Sequence, residues 1–298
     1  MNRPEVLRTA HNGDVELAYE VFGPDTGRPL LLIMGLGMQM LLWNDDFCND
    51  LVGKGFQVIR MDNRDTGLSS HLERLGEPKL WDMILRPRVA ARYSLSDMAA
   101  DALAVLDDMG WESANIVGGS LGGMIAQTLA IEHPRRVRSL VSIMSSPSAR
   151  IGRATIRTSM KMGELSQRPI RSAMEAGERM LEIYGFIGTP AANYPLDTGW
   201  LTEVGARSFE RAHDPAGKLR QQAAMLAAPD RTAELRKVSI PTVAMHGDAD
   251  ILIRPRGGEA TAAAVPGARL VLMPGVGHGA FPREVWPTMI DGITSVAR

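Results

Sequence analysis

The chain has 298 residues, 45% of them hydrophobic, with 33 Lys and Arg against 34 Asp and Glu and a formal net charge of -1. That length buries enough apolar surface to fold without disulfides or a structural metal, and the balanced charge gives no overall attraction to nucleic acid or to an anionic membrane. Cys48 is the sole cysteine, which excludes an intrachain disulfide.

Residues 1–19 mix charges throughout and lack the apolar core of a secretion signal. Within them, Val15–Phe22 begins an apolar/polar alternation that suits a half-buried antiparallel strand. Residues 29–43 are the longest apolar stretch, interrupted by Gly35, Gly37 and Gln39. A spanning helix needs about 20 apolar residues, so no membrane span is expected, and the chain reads as a soluble, cytoplasmic protein.

Continuously apolar runs follow at 30–34, 56–62, 115–117, 139–144, 242–246 and 269–273. Helical patterns separate them. Residues 94–109 open on the capping box Ser94-x-x-Asp97 and carry Met98, Ala102, Val105, Leu106 and Met109 at helical spacing. Residues 121–132, 258–265 and 283–296 are similar. Strands that are apolar on both faces and alternate with helices predict an α/β fold with a mostly parallel sheet. The alternation lapses over residues 147–235, where Met160, Met162, Met174, Met180 and Met225 stand among arginines and breakers. This segment reads as a helical cap inserted into a core made of residues 1–146 and 236–298. Its methionines serve either helix packing or an adaptable wall over an apolar ligand.

The strongest chemical signal is Gly118-Gly119-Ser120-Leu121-Gly122, a Gly-x-Ser-x-Gly between an apolar strand and a helix. So sharp a turn exposes the Ser120 hydroxyl above a helix N-terminus; the plain alternative is a glycine-rich turn with an incidental serine. A serine hydroxyl needs a base held by an acid. Of six histidines, His278 lies just after the last strand, in Pro274-Gly-Val-Gly-His278, at the sheet edge where open α/β folds bind ligands. His246 sits within an apolar strand and reads as a satisfied core residue. His133 suits a helix C-cap, and His11, His71 and His213 fall in polar loops. The acid is sought in His246-Gly-Asp248-Ala-Asp250. Two candidates compete: Asp248 is nearer the strand end, where it could shape the turn or face His278, and Asp250 is three residues beyond Gly247. The order Ser120, Asp250, His278 is the nucleophile, acid and base order of the elbow motif. A competing place for the acid, the end of the run at 139–144, reads Ser145-Ser-Pro-Ser148 and has no carboxylate.

These features together resemble the α/β-hydrolases over essentially the whole chain. Within that family, Asp62-Asn-Arg-Asp65-Thr-Gly-Leu-Ser69 resembles a segment of bacterial carboxylesterases and of polyketide methylesterases of the aclacinomycin type. Most relatives have glycine where Asp65 stands. The segment reads as a structural turn, with a gate as the second possibility. The resemblance implies a carboxylic ester substrate and an oxyanion hole from two backbone amides, Leu121 and Leu36. Met34-Gly35 stands where many members have His-Gly, which spares the backbone donor.

No zinc-ligand spacing, Walker lysine or dinucleotide fingerprint occurs, so neither metal nor cofactor is expected. Cys48 reads as an inert helical residue. The expected partner is a small-molecule ester, apolar or bulky, and the expected reaction runs through an acyl-enzyme. The same residues would also serve a cofactor-free haloperoxidase, a C–C hydrolase or a peptidase, or persist in a non-catalytic binding protein.

Overall fold

A computed structural model describes residues 7–297. The first six residues of the N-terminal stretch and the final Arg298 of the core segment lie outside the described residues. Eight strands, β1 (Leu7–Asn12), β2 (Val15–Phe22), β3 (Arg28–Ile33), β4 (Phe56–Met61), β5 (Ala114–Gly119), β6 (Val137–Ile143), β7 (Thr242–Gly247) and β8 (Arg269–Met273), form one sheet in the order β1-β2-β4-β3-β5-β6-β7-β8. β1 pairs with β2 and β2 with β4 antiparallel; every later pairing is parallel.

Alternate residues of the central strands feed two separate cores. Leu31 and Ile33 of β3 pack with α4 (Leu95–Asp108) and α5 (Leu121–Glu132). Leu30 and Leu32 face α1 (Asp45–Gly53) and the C-terminal α12 (Trp286–Thr294). Burial on both faces is why these strands are continuously apolar. The Ser94 capping box forms as read: its side chain accepts from the Asp97 amide while the Asp97 carboxylate accepts from the Ser94 amide. The last helix is shorter than the pattern at 283–296, because a 3-10 turn, Arg283–Val285, precedes it and Pro287 fixes its first turn. No described helix is long and apolar enough to cross a membrane.

The structure corrects the placement of His11. It lies in β1, an edge strand, not a loop. Of β1 only Ala10 is buried, so no apolar alternation marks it. A two-residue turn with Gly13 at φ 61° joins β1 to β2 and gives the signal that could have revealed it.

Five helices occupy the segment between β6 and β7: α6 (Ile156–Gln167), α7 (Ala173–Ile187), α8 (Thr198–Arg211), α9 (Pro215–Ala227) and α10 (Thr232–Leu235). Leu165, Met180, Ile183, Tyr184, Leu201 and Val204 make a core of their own, which also takes in Leu41 and Ala280 from loops of the sheet. Met162 and Met180 pack there, whereas Met160 and Met174 face solvent. The segment is tied to loops at the carboxyl edge of the sheet. The His278 amide donates to Ile187 O at 2.7 Å, the Gly37 amide to Gln221 Oε1 at 2.8 Å, and Gln39 Nε2 to Ser208 O at 2.7 Å. Two short helices, α2 (Leu80–Leu85) and α3 (Pro87–Ala90), lead from the loop after β4 into α4 and pack on α9. The remaining helix, α11 (Arg256–Ala264), lies between β7 and β8.

Candidate active site

Ser120 sits at the junction of β5 and α5 with φ 55° and ψ -117°, a conformation non-glycine residues rarely hold. Its surroundings explain the glycines on either side. A Cβ on Gly118 would overlap the Gly122 carbonyl, and one on Gly122 would overlap the carbonyl of Ile33. The turn is pinned by the Ser120 amide, which donates to Ile143 O at 2.8 Å.

The structure brings together the three side chains singled out from sequence. Ser120 Oγ lies 3.1 Å from His278 Nε2, and His278 Nδ1 lies 2.7 Å from Asp250 Oδ2. The other Asp250 oxygen accepts from the amides of Leu252 and Ile253 at 2.8 and 2.9 Å. Burial alone would raise the Asp250 pKa; the His278 charge and the His246 and His278 hydrogen bonds outweigh it and hold the carboxyl at about 2. A permanently ionised Asp250 favours the tautomer in which His278 Nδ1 carries the proton and Nε2 accepts from Ser120. Asp248 stands apart. Its Oδ1 accepts from the Gly275 amide at 2.6 Å, bracing the turn that precedes His278.

His246 is fully buried in β7, but it is not the satisfied core residue expected: its Nδ1 has no hydrogen-bond partner among the described residues, and the ring also touches the acid. Its Nε2 is 2.6 Å from Ile253 O and 3.4 Å from Asp250 Oδ2. His133 is the C-cap of α5. Cys48 is buried in α1, where burial pushes its thiol up to about 12.

Leu121 follows the serine directly, and Leu36 follows Gly35 in the loop after β3. Leu121 is the first residue of α5, where backbone amides have no intrahelical acceptor. Gly35 passes so close that a Cβ there would lie 3.1 Å from Ser120 Cβ. The loop carrying Leu36 is held at several points. Asn63 Nδ2 donates to Met34 O at 2.9 Å, and the Met40 amide donates to Asp62 Oδ1 at 2.7 Å. From α9, the fully buried Gln221 accepts from Gly37 while its Nε2 donates to Arg64 O and Thr66 Oγ1 at 2.7 and 2.6 Å.

The segment 62–69 is a turn out of β4, as read, and also the anchor of the inserted helices. Asp65 adopts φ 65°, the left-handed backbone that suits glycine. The carboxylate repays that strain with Arg220 of α9. The guanidinium donates to both oxygens at 2.9 and 2.8 Å, with side-chain exposures of 1% and 0%. Tyr93 Oη and the Leu72 amide also donate to Asp65. Arg220 reaches Asp214 at 2.9 Å, and Asp214 pairs with His71 Nδ1 at 2.9 Å. Arg211 of α8 meets Asp62 at 2.9 Å. Asp65, His71 and Asp214 have the spacing of metal ligands, but Arg220 already supplies the cation between two of them. Sequence reading missed Arg220 and Gln221, since nothing local distinguishes them from other polar residues of a helix.

The family described as the alpha/beta hydrolase fold matches residues 28–183. Rhodomycin D methylesterase DnrP of Streptomyces peucetius is 30% identical over 98% of both chains. A putative carbamate hydrolase, RutD, of Variovorax paradoxus is 29% identical over 80% of this chain and 79% of its own. Among solved structures, the esterase RhEst1 from Rhodococcus sp. ECU1013 superposes with a TM-score of 0.74 at 21% identity, covering 98% of this chain and 99% of the other. With the elbow at Ser120, the single mostly parallel sheet, the family match over 28–183 and the methylesterase likeness over 98% of both chains, the chain belongs to the α/β-hydrolase family.

Proposed function

We propose that the protein hydrolyses a carboxylic ester, with Ser120 as nucleophile, His278 as general base and acid, and Asp250 as the carboxylate that orients the imidazole. The observation that carries this reading is the hydrogen-bonded line from Ser120 Oγ through His278 to Asp250. His278 Nε2 takes the Ser120 proton as Oγ attacks the ester carbonyl carbon. The amides of Leu36 and Leu121 stabilise the oxyanion, and the imidazolium formed is paired with Asp250. His278 then protonates the departing alcohol, leaving an acyl-Ser120. The same imidazole activates water, which releases the acid and restores the hydroxyl.

Residues 147–235 act as a cap on the core formed by 1–146 and 236–298. The apolar cluster they share with Leu41 and Ala280 supports a preference for bulky, apolar esters. The name of the methylesterase relative supports a methyl ester as the bond cleaved.

Turnover of p-nitrophenyl acetate and of methyl esters of large hydrophobic acids tests the proposal. The wild-type protein is expected to release product, and Ser120→Ala to lose at least about 10³-fold in kcat with its circular dichroism unchanged. Wild-type turnover in Ser120→Ala, or no ester hydrolysis by the folded wild type, would overturn it.

A further inference from the structure

The two short helices α2 and α3 bury little and expose much. Met83 and Ala90 face inward, packing against Ala223 of α9. Outward stand Leu80, Trp81, Ile84, Leu85 and Val89, at 56, 73, 61, 71 and 61% exposure. A surface helix normally turns its large apolar residues to the core. Here the first four, at helical spacing i, i+1, i+4 and i+5, share a face that no described residue covers. Scattered apolar residues on a surface are ordinary, but five within ten residues, including the most exposed tryptophan, mark a contact surface.

The charges around this face identify what it meets. The chain as a whole is nearly neutral, yet residues 79–92 contain Lys79, Arg86, Arg88 and Arg92 against Asp82 alone. Asp82 pairs with Arg86 at 2.9 Å, and among the described residues no ion pair engages Lys79, Arg88 or Arg92. We propose that the α2–α3 segment is an interfacial docking surface for an anionic lipid bilayer. Trp81, Ile84 and Leu85 would enter the boundary between headgroups and acyl chains, and the free cations would meet lipid phosphates. A second copy of the chain is the poorer occupant, because a two-fold contact through this patch would set its surplus of cations against their own images. The segment is too short to cross a bilayer and would lie at its surface. It packs on α9, which carries Gln221 and Arg220, so docking would bring the capped side of the molecule to the lipid. This proposal concerns binding and stands apart from the hydrolytic reading.

Vesicle flotation with the full-length protein tests it. Vesicles of phosphatidylcholine with about one-third phosphatidylglycerol should carry the protein up the gradient, pure phosphatidylcholine much less, and added salt should release it. Tryptophan emission should shift to the blue as Trp81 leaves water. The pair Trp81→Ser/Leu85→Ser, and separately Arg88→Glu/Arg92→Glu, should each weaken partitioning about tenfold or more. All four side chains are exposed, so thermal unfolding should stay close to wild type. Failure to float with anionic vesicles overturns the proposal, as does wild-type binding by the variants. A dimer in sedimentation that Trp81→Ser/Leu85→Ser dissolves, without vesicle binding, would instead assign the surface to a second copy.

Discussion

Replacing Asp65 by glycine separates two opposing effects that the structure assigns to one residue. The backbone there is left-handed at φ 65°, and glycine relieves about 1 kcal/mol of strain at such a position. The same change leaves the Arg220 guanidinium buried with Asp214 as its remaining carboxylate. Breaking a buried pair by removing one partner costs about 3–5 kcal/mol. With Asp214 retained, the low end applies, so Asp65→Gly should destabilise by a net ~2 kcal/mol. Arg220→Met leaves Asp65 buried with only the Leu72 amide and Tyr93 hydroxyl as donors, and should cost ~3 kcal/mol. The double variant Asp65→Gly/Arg220→Met strands neither charge. It should lie within about 2 kcal/mol of wild type, a coupling of about 3 kcal/mol relative to the sum of the single changes. Urea unfolding followed by circular dichroism at constant m-value measures all four corners of this cycle. Additivity within about 0.5 kcal/mol would show that the pair does not act as a unit and refute the reasoning.

Three further outcomes follow from the site. Asp250→Asn should lower kcat for ester hydrolysis by about 10⁴, because its amide cannot hold the required imidazole tautomer, while Asp248→Asn keeps the acceptor for Gly275 and most of the activity; steady-state kinetics on both variants distinguishes them, and the reverse pattern would move the acid by two residues. Gln221→Leu frees the Gly37 amide from its acceptor and should reduce kcat about tenfold or more with a smaller change in KM; an unchanged kcat would show that Gln221 does not set the oxyanion loop. Burial lowers the His71 pKa, but the Gly67 carbonyl and the Asp214 and Asp65 carboxylates more than offset it, so the folded value is raised. Its contribution to stability is therefore complete below the unfolded value of about 6.5 and is lost as pH rises through the folded value. The gap in melting temperature between wild type and His71→Leu should be wider at acid pH than at alkaline pH, and a gap that widens with rising pH would contradict the sign.

Much of the site is legible in the chain because it is built from short-range geometry. Gly118 and Gly122 must be glycine for the strand, turn and helix to pass one another, so the serine between them announces its own exposure. The Ser94 capping box closes within four residues. Asp250 and His278 each follow a recognisable strand, and a parallel sheet delivers the ends of such strands to one edge whatever lies between. Other features depend on partners distant in the chain. Asp65 meets Arg220 across 155 positions, and Gln221 reaches Gly37 across 184. In sequence, Arg220 and Gln221 are two polar residues of a helix; only its docking on the turn after β4 makes one a buried counter-ion and the other a tie to the loop after β3. Likewise, the apolar residues among 80–89 look like ordinary core material, since hydrophobicity records what a residue prefers and not which side of it the fold leaves open. The sequence determined the chemistry available and the sheet edge where it gathers. The tertiary structure decided which charges are buried together and which apolar face remains toward solvent, because both depend on how the inserted helices settle on the sheet.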